Sequence, residues 1–141
     1  MSEQDNIKLV RDSVAAFSRG DAEASAAFYG ENCEHFEAGT GRTFRGRAEF
    51  QAALKGWLTG FPDAQGTVAN VFASGDEVAA EITYRETNTG PLATPAGTIP
   101  ATGKVAELPS ALVCRVRDGK IQKGTLYFDM ATLLRQLGVA G

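Results

Sequence analysis

Along the first fifty residues apolar side chains recur at steps of three and four, the period of a helix buried on one face. Ile7, Val10, Val14 and Phe17 make one such stripe, and Gly20 supplies its stop. Asp21 is placed to cap a second short helix, which runs to Tyr29 and ends at Gly30. Residues 33–38 read as a short extended piece, followed by a Gly/Thr/Arg-rich turn over residues 39–46. A third helix begins near Arg47, with Phe50, Ala53, Leu54, Trp57 and Leu58 at helical spacing, and Gly60 and Pro62 close it.

From Ala64 onward the period changes to two. Residues 68–73 predict a strand, Ser74-Gly75-Asp76-Glu77 a turn, and residues 78–88 a second strand. Val78, Ala80, Ile82 and Tyr84 share one side of it and Glu81, Thr83 and Arg85 the other, which implies one buried and one wet face. A Pro- and Gly-containing loop over residues 89–103 follows. Residues 104–117 predict a third strand with Ala106, Leu108, Leu112, Cys114 and Val116 on its apolar side. Asp118-Gly119 makes a tight hairpin turn, and residues 121–129 the fourth strand, leading into a terminal helix that ends at Gly138. Helices followed by a four-strand antiparallel meander define an α+β fold, and a curved sheet with helices against its concave face encloses a pocket only where side chains fail to fill the space. Nothing in the 141 residues reads as a linker or repeat, so residues 1–141 are taken as one domain.

Composition narrows the classes of function. At 43% hydrophobic and 22% charged residues the chain has enough apolar surface to fold and is not disordered. Fourteen Lys and Arg against 17 Asp and Glu give a net charge of -3 with no basic cluster, which argues against a nucleic-acid partner. No stretch approaches the ~20 apolar residues of a membrane span, so no membrane role is expected. The acidic, polar start Met-Ser-Glu-Gln-Asp-Asn is unlike a secretion signal. Cys33 and Cys114 match no metal or redox spacing. Reduced cysteines, no metal and a cytoplasmic setting are the expectations.

Several short motifs, in order, carry a resemblance. They are Phe61-Pro62-Asp63, Asn88-Thr89-Gly90, Pro100-Ala101-Thr102-Gly103-Lys104, Val116-Arg117-Asp118-Gly119-Lys120-Ile121, Tyr127-Phe128-Asp129 and Leu134-Arg135-Gln136-Leu137-Gly138. In this order and spacing the chain resembles the SnoaL-like polyketide (ester) cyclases of the nuclear-transport-factor-2-like superfamily over nearly its whole length. The resemblance implies a cone-shaped α+β barrel around a deep apolar cavity, a homodimer packed through the sheets, and no metal or organic cofactor. It also implies ring closure in aromatic polyketide methyl esters by intramolecular aldol addition, with a carboxylate as general base. The chain departs from that pattern at the chemistry. The aspartate expected three residues before the position of Asp129 is Leu126, a cavity histidine of the preceding strand is Leu112, and a His-x-Gly is Asn88-Thr89-Gly90. Leucine neither accepts a proton nor hydrogen-bonds an enolate.

Other side chains are therefore candidates for catalysis: His35, Glu86 and Asn88. His35 is the one histidine and titrates nearest neutral pH; a role at the cavity rim and an idle, half-exposed place beside Glu34 and Glu37 carry equal weight. Glu86 and Asn88 extend the inward parity of Val78 to Tyr84, and a carboxyl in an apolar pocket has its pKa raised. A frayed strand end would leave both solvated, the reading favoured for Glu86, whereas Asn88 is favoured to point inward. Trp57 and Tyr84 are aromatic candidates for ligand contact, and Phe17, Leu108, Leu112, Cys114, Leu126 and Phe128 would complete an apolar wall around a small hydrophobic molecule, polyketide- or steroid-like. Asp129 is read as a helix cap in preference to a catalytic group. Three functions stay open: an isomerase- or lyase-type enzyme with a relocated site, a non-catalytic binding protein that kept the cavity, and a module that uses its open sheet face for dimerisation.

Overall fold

The computed structural model describes residues 2–139. Helix α1 (Glu3–Ser18) carries the first apolar stripe, burying Val10, Val14 and Phe17. Its start is fixed by a reciprocal cap: the Asp5 N–H donates to Ser2 Oγ at 3.0 Å and the Ser2 N–H to the Asp5 carboxylate at 3.0 Å. Asp21 caps α2 (Ala22–Ala26) by accepting from the Ala24 N–H at 2.9 Å. This helix stops before the expected Tyr29. Tyr29 instead opens β1 (Tyr29–Glu37), because the chain there pairs with a distant strand at Ile121, and that tertiary pairing overrides local helical spacing. Part of the expected turn over residues 39–46 is a strand, β2 (Arg42–Arg45), which folds back on β1 through Gly41 at φ +75°.

Helix α3 (Arg47–Gly60) follows, then β3 (Gln65–Ser74) and β4 (Glu77–Thr87). The Pro/Gly-rich loop contains a two-stranded hairpin of β5 (Leu92–Thr94) and β6 (Gly97–Ile99). The last elements are β7 (Val105–Arg117), β8 (Lys120–Tyr127) and α4 (Met130–Leu137). Asp118 at φ +55° and Gly119 at φ +71° form the turn between β7 and β8, the geometry the Asp-Gly pair predicts.

The main sheet has six strands in the order β2-β1-β8-β7-β4-β3, two more than the expected meander. The meander β3-β4-β7-β8 is antiparallel; β1 joins β8 in parallel and brings the N-terminal half of the chain into the sheet. Register shifts in β1, β3 and at Arg115/Val116 bend the strands, so the sheet curls around the helices without closing. One apolar cluster joins Val10, Phe50, Ile82 and Ile121 beneath α1 and α3; a second joins Phe61, Leu92, Leu133 and Leu137 at the other end. On the outer face Phe36, Thr125, Val113, Ala79 and Phe72 stand in register across five strands, with Phe36, Val113 and Phe72 exposed.

Asp129 is the α4 cap, accepting from the Ala131 N–H at 3.1 Å and the Thr132 hydroxyl at 2.8 Å, and Gly138 ends the helix in the left-handed region. Asp129→Ala is expected to lower the melting temperature by a few degrees in thermal denaturation. It should leave the affinity for any cavity ligand unchanged; a selective affinity loss at unchanged stability would remove the assignment as a cap.

Candidate functional site

An interior cavity lies between α1, α3 and the inner face of the sheet, with a volume of about 90 Å³. This holds a few water molecules and is well short of the ~300 Å³ of sites that enclose drug-sized ligands, so a larger guest requires apolar side chains at the wall to move. Every expected ligand-contact residue lines it: Phe17, Trp57, Tyr84, Leu112, Leu126 and Phe128. His35 and Glu86 line it too. Leu108 belongs to the wall, whereas Cys114 is packed beneath the surface in the core, its thiol pushed up to about 12 by burial.

Glu86 is buried, at 1% exposure, against the expectation of a frayed and solvated strand end. The strand holds because its last residues are pinned from two sides. The Asp63 carboxylate, just past α3, accepts from the Thr87 N–H at 2.7 Å and the Thr87 hydroxyl at 2.6 Å. One residue on, the Asn88 N–H donates to the Lys104 carbonyl at 2.9 Å and the Gly103 N–H to the Asn88 carbonyl at 2.8 Å. With the ladder intact through Thr87, the period of two carries Glu86 inward. There the Trp57 Nε1–H donates to its two oxygens at 2.9 and 3.2 Å, and the indole is seated on Phe61 and Phe128 at ring separations of 5.2 and 5.8 Å. Desolvation raises the Glu86 carboxyl to about 7, with the Trp57 hydrogen bond opposing and the Asp63 charge assisting. At neutral pH this group exchanges protons readily, which suits acid–base chemistry. Tyr84 stands two residues earlier on the same face; its phenol is raised by burial and by the Glu86 charge, and stays protonated as a neutral donor.

His35 is likewise buried, at 5% exposure, and not half-exposed. Its ring lies 4.6 Å from Phe50, 6.1 Å from Tyr29 and 6.4 Å from Phe44. Burial lowers its pKa to about 4, so the imidazole is neutral at physiological pH. Phe50, beside His35, and Trp57, beside Glu86, are two turns apart on α3, roughly 10 Å along the axis. The imidazole and the carboxyl therefore occupy different ends of the cavity.

Asn88 is fully buried but does not line the cavity. Its amide donates to the Gly60 and Gly90 carbonyls at 3.2 and 2.9 Å and accepts from the Thr102 N–H and hydroxyl at 3.0 and 2.9 Å. The structure thus uses it to tie α3 to both ends of the long loop. Leu112 and Leu126 face each other across β7 and β8 on the cavity wall. The polar and aromatic lining residues missed by sequence reasoning include Tyr29, Glu37, Phe44, Ser13, Ser25 and Ser110. Tyr29 and Phe44 were hidden by the misplaced end of α2 and the unrecognised β2; nothing in the pattern marks the serines. Among the described residues no cluster of His, Cys, Asp and Glu has the makings of a metal site, and no helix is long and apolar enough to cross a membrane.

A family profile, SnoaL-like polyketide cyclase, matches residues 7–137. No curated protein matches the chain. Among solved structures, a provisionally assigned polyketide cyclase from Xanthomonas campestris is 29% identical with a TM-score of 0.83, covering 96% of this chain and 98% of that one. AclR from Streptomyces galilaeus, provisionally assigned as a hydroxylase, is 26% identical with a TM-score of 0.82, covering 97% and 83%. An NTF2-like protein of unknown function from Burkholderia pseudomallei, 23% identical with a TM-score of 0.75 and covering 97% and 98%, shares the fold.

Two substitutions test the site's energetics. Unfolded, the Glu86 side chain titrates near 4.5, and folded near 7. Below 4.5 both states are protonated and the shift has no effect; as pH rises to 7 only the unfolded chain ionises, so native stability falls, on the order of 3 kcal/mol in all. Glu86→Gln keeps an acceptor for Trp57 and removes this loss. Urea unfolding should show the variant more stable than the parent at pH 8, the difference fading toward pH 5. Asn88→Asp sets a negative charge against two carbonyls and should destabilise by about 1–3 kcal/mol in the same assay; an undiminished stability would deny Asn88 its structural role.

Proposed function

The chain belongs to the SnoaL-like polyketide cyclase family, and we propose that it is a proton-transferring enzyme, an aldol cyclase or isomerase, acting on an uncharged hydrophobic molecule that carries carbonyl groups. The observation that carries this reading is Glu86: among the described residues a carboxyl with no counter-charge, buried and held by one indole N–H in a largely apolar cavity, at a pKa of about 7. The family's fold hosts more than one reaction, so the assignment is argued from the site and not from the fold.

In the proposed cycle the Glu86 carboxylate removes a proton from a carbon flanked by carbonyls. The enolate carbon attacks a second carbonyl carbon of the same molecule, a carbon–carbon bond forms, and the electron pair of that carbonyl passes to its oxygen. The alkoxide takes the proton back from the Glu86 carboxylic acid. The product is an isomer of the substrate and one carboxyl completes the cycle. The Tyr84 phenol, a neutral donor in the cavity lining two residues from Glu86 on the same strand face, is available to a developing enolate oxygen.

A second reading, a binding protein without turnover, is favoured by Leu112 and Leu126, which put hydrocarbon where the family resemblance implied a histidine and an aspartate. One experiment separates the two. Purified protein is incubated with an aromatic polyketide methyl ester, and the product of unchanged mass is followed by chromatography and mass spectrometry. Turnover is expected to rise with pH through about 7, as Glu86 ionises, and to fall ~10²–10⁴-fold in Glu86→Gln. Saturable binding without turnover establishes the binding protein instead.

We propose the expected homodimer on the outer face, where the in-register row from Phe36 to Phe72, apolar except for Thr125, offers a second copy a surface to cover. Sedimentation should give a dimer for the parent chain and a monomer for Val113→Lys; a monomeric parent refutes it.

A further inference from the structure

We propose that His35 reads the end of the ligand remote from Glu86 and selects molecules that carry an uncharged hydroxyl or carbonyl oxygen there. This rests on the cavity being a ligand site and not on Glu86 being the proton-transfer group.

Three observations on the ring lead to it. First, its hydrogen bonds are unmade. Among the described residues His35 has no side-chain hydrogen bond, and of its two nitrogens only Nδ1 is sealed away without a partner. Nε2 is therefore the edge that meets the cavity. The sealed Nδ1 gains nothing from a ligand, whereas Nε2, with no protein partner among the described residues, has a hydrogen bond left to make, and a ligand atom that makes it gains that bond only when bound.

Second, the ring is held in place by packing alone. Phe50, Tyr29 and Phe44 surround it, and on the neighbouring strand Gly124 leaves room for it: a Cβ there would lie 3.1 Å from Nδ1. A donor or acceptor fixed in direction by apolar neighbours discriminates sharply, because the wrong ligand leaves it unpaired.

Third, the ring is neutral, with one nitrogen that donates and one that accepts, and the tautomer can follow the ligand. Facing Nε2, a hydroxyl donates to it or a carbonyl oxygen accepts from it. A carboxylate would have to be desolvated in the same aromatic surroundings and is disfavoured. With Phe50 and Trp57 two helical turns apart, a molecule that touches both His35 and Glu86 is elongated, with this oxygen roughly 10 Å or more from the reacting carbon.

The chain holds a single histidine, so ring ¹⁵N signals report on His35 without assignment. Phenol and toluene are the probes, close in shape and differing in a hydroxyl against a methyl. At pH 7 phenol is expected to shift the ring ¹⁵N signals saturably and to bind about five- to tenfold more tightly than toluene, the scale of one neutral hydrogen bond. In His35→Phe the preference should vanish while toluene still binds. In Glu86→Gln it should persist, whatever becomes of turnover. Equal affinity for the two probes in the parent protein overturns the proposal without recourse to any variant. So does the absence of a saturable ¹⁵N shift, a preference that survives in His35→Phe, or one that disappears in Glu86→Gln. A Glu86→Gln protein with undiminished turnover and an intact phenol preference removes the acid–base reading and leaves this one standing.

Discussion

Keeping one carboxyl dry is the constraint on which the rest of this molecule turns. Among the described residues Glu86 has no cationic partner, so its burial is sustained by the elements around it and not by an ion pair. Asp63 and Asn88 hold the end of β4 and the loop beyond it, and Trp57 supplies the one donor. Each of these contacts serves the fold in its own right: one joins α3's exit to β4, one ties the long loop, one seats an indole on Phe61 and Phe128. Their joint effect is chemical. They deliver a carboxyl to a site where its charged form is disfavoured, and a carboxyl so placed titrates where a biological acid–base catalyst must.

The same cavity wall carries an opposite case in His35, and the two work against each other as pH changes. For Glu86 the folded state prefers the neutral form and loses stability as pH rises from 4.5 to 7. For His35 the folded state also prefers the neutral form, but neutral is now the deprotonated one, so stability is lost as pH falls from 6.5 to 4. Between about 4.5 and 6.5 the two dependences oppose each other. A cavity that tolerates neither charge is thus nearly indifferent to pH over that interval in its stability, while the protonation of Glu86 still changes through its upper end. Buried polar groups that lower stability are the familiar cost of a site placed inside a fold.

Much of this architecture is legible in the pattern of residues. The apolar stripe of α1 and that of α3, the alternation along β4 and β7, the Asp118-Gly119 turn and the Asp21 and Asp129 caps all arise from local chemistry, and each stands where its residues imply. What is not legible depends on contacts distant in sequence. Tyr29 joins β1 because Ile121 lies beside it, β2 exists because β1 offers an edge, and a hairpin forms within the long loop. The site follows the same rule. The parity of Glu86 is visible in the sequence, but whether the strand survives to residue 86 is decided by Asp63, 23 positions earlier and on no common element. Asn88 shares that parity and lies deeper still, yet its amide is spent on Gly60, Gly90 and Thr102, so inward-facing and functional are different properties.

The leucines at 112 and 126 then take on a positive meaning. Facing each other on β7 and β8, they are hydrocarbon lining of the cavity that Glu86 enters from β4. A carboxylate at position 126 would add a further negative charge to a lining that already carries Glu37, its partner in register on β1, and like charges that share a site raise each other's resistance to ionisation. With leucine there, the Glu86 pKa is set by desolvation, by the Trp57 indole and by the Asp63 charge. Hydrocarbon at 112 and 126 keeps this part of the wall free of charge, and the acid–base role proposed for the site falls to Glu86 on β4.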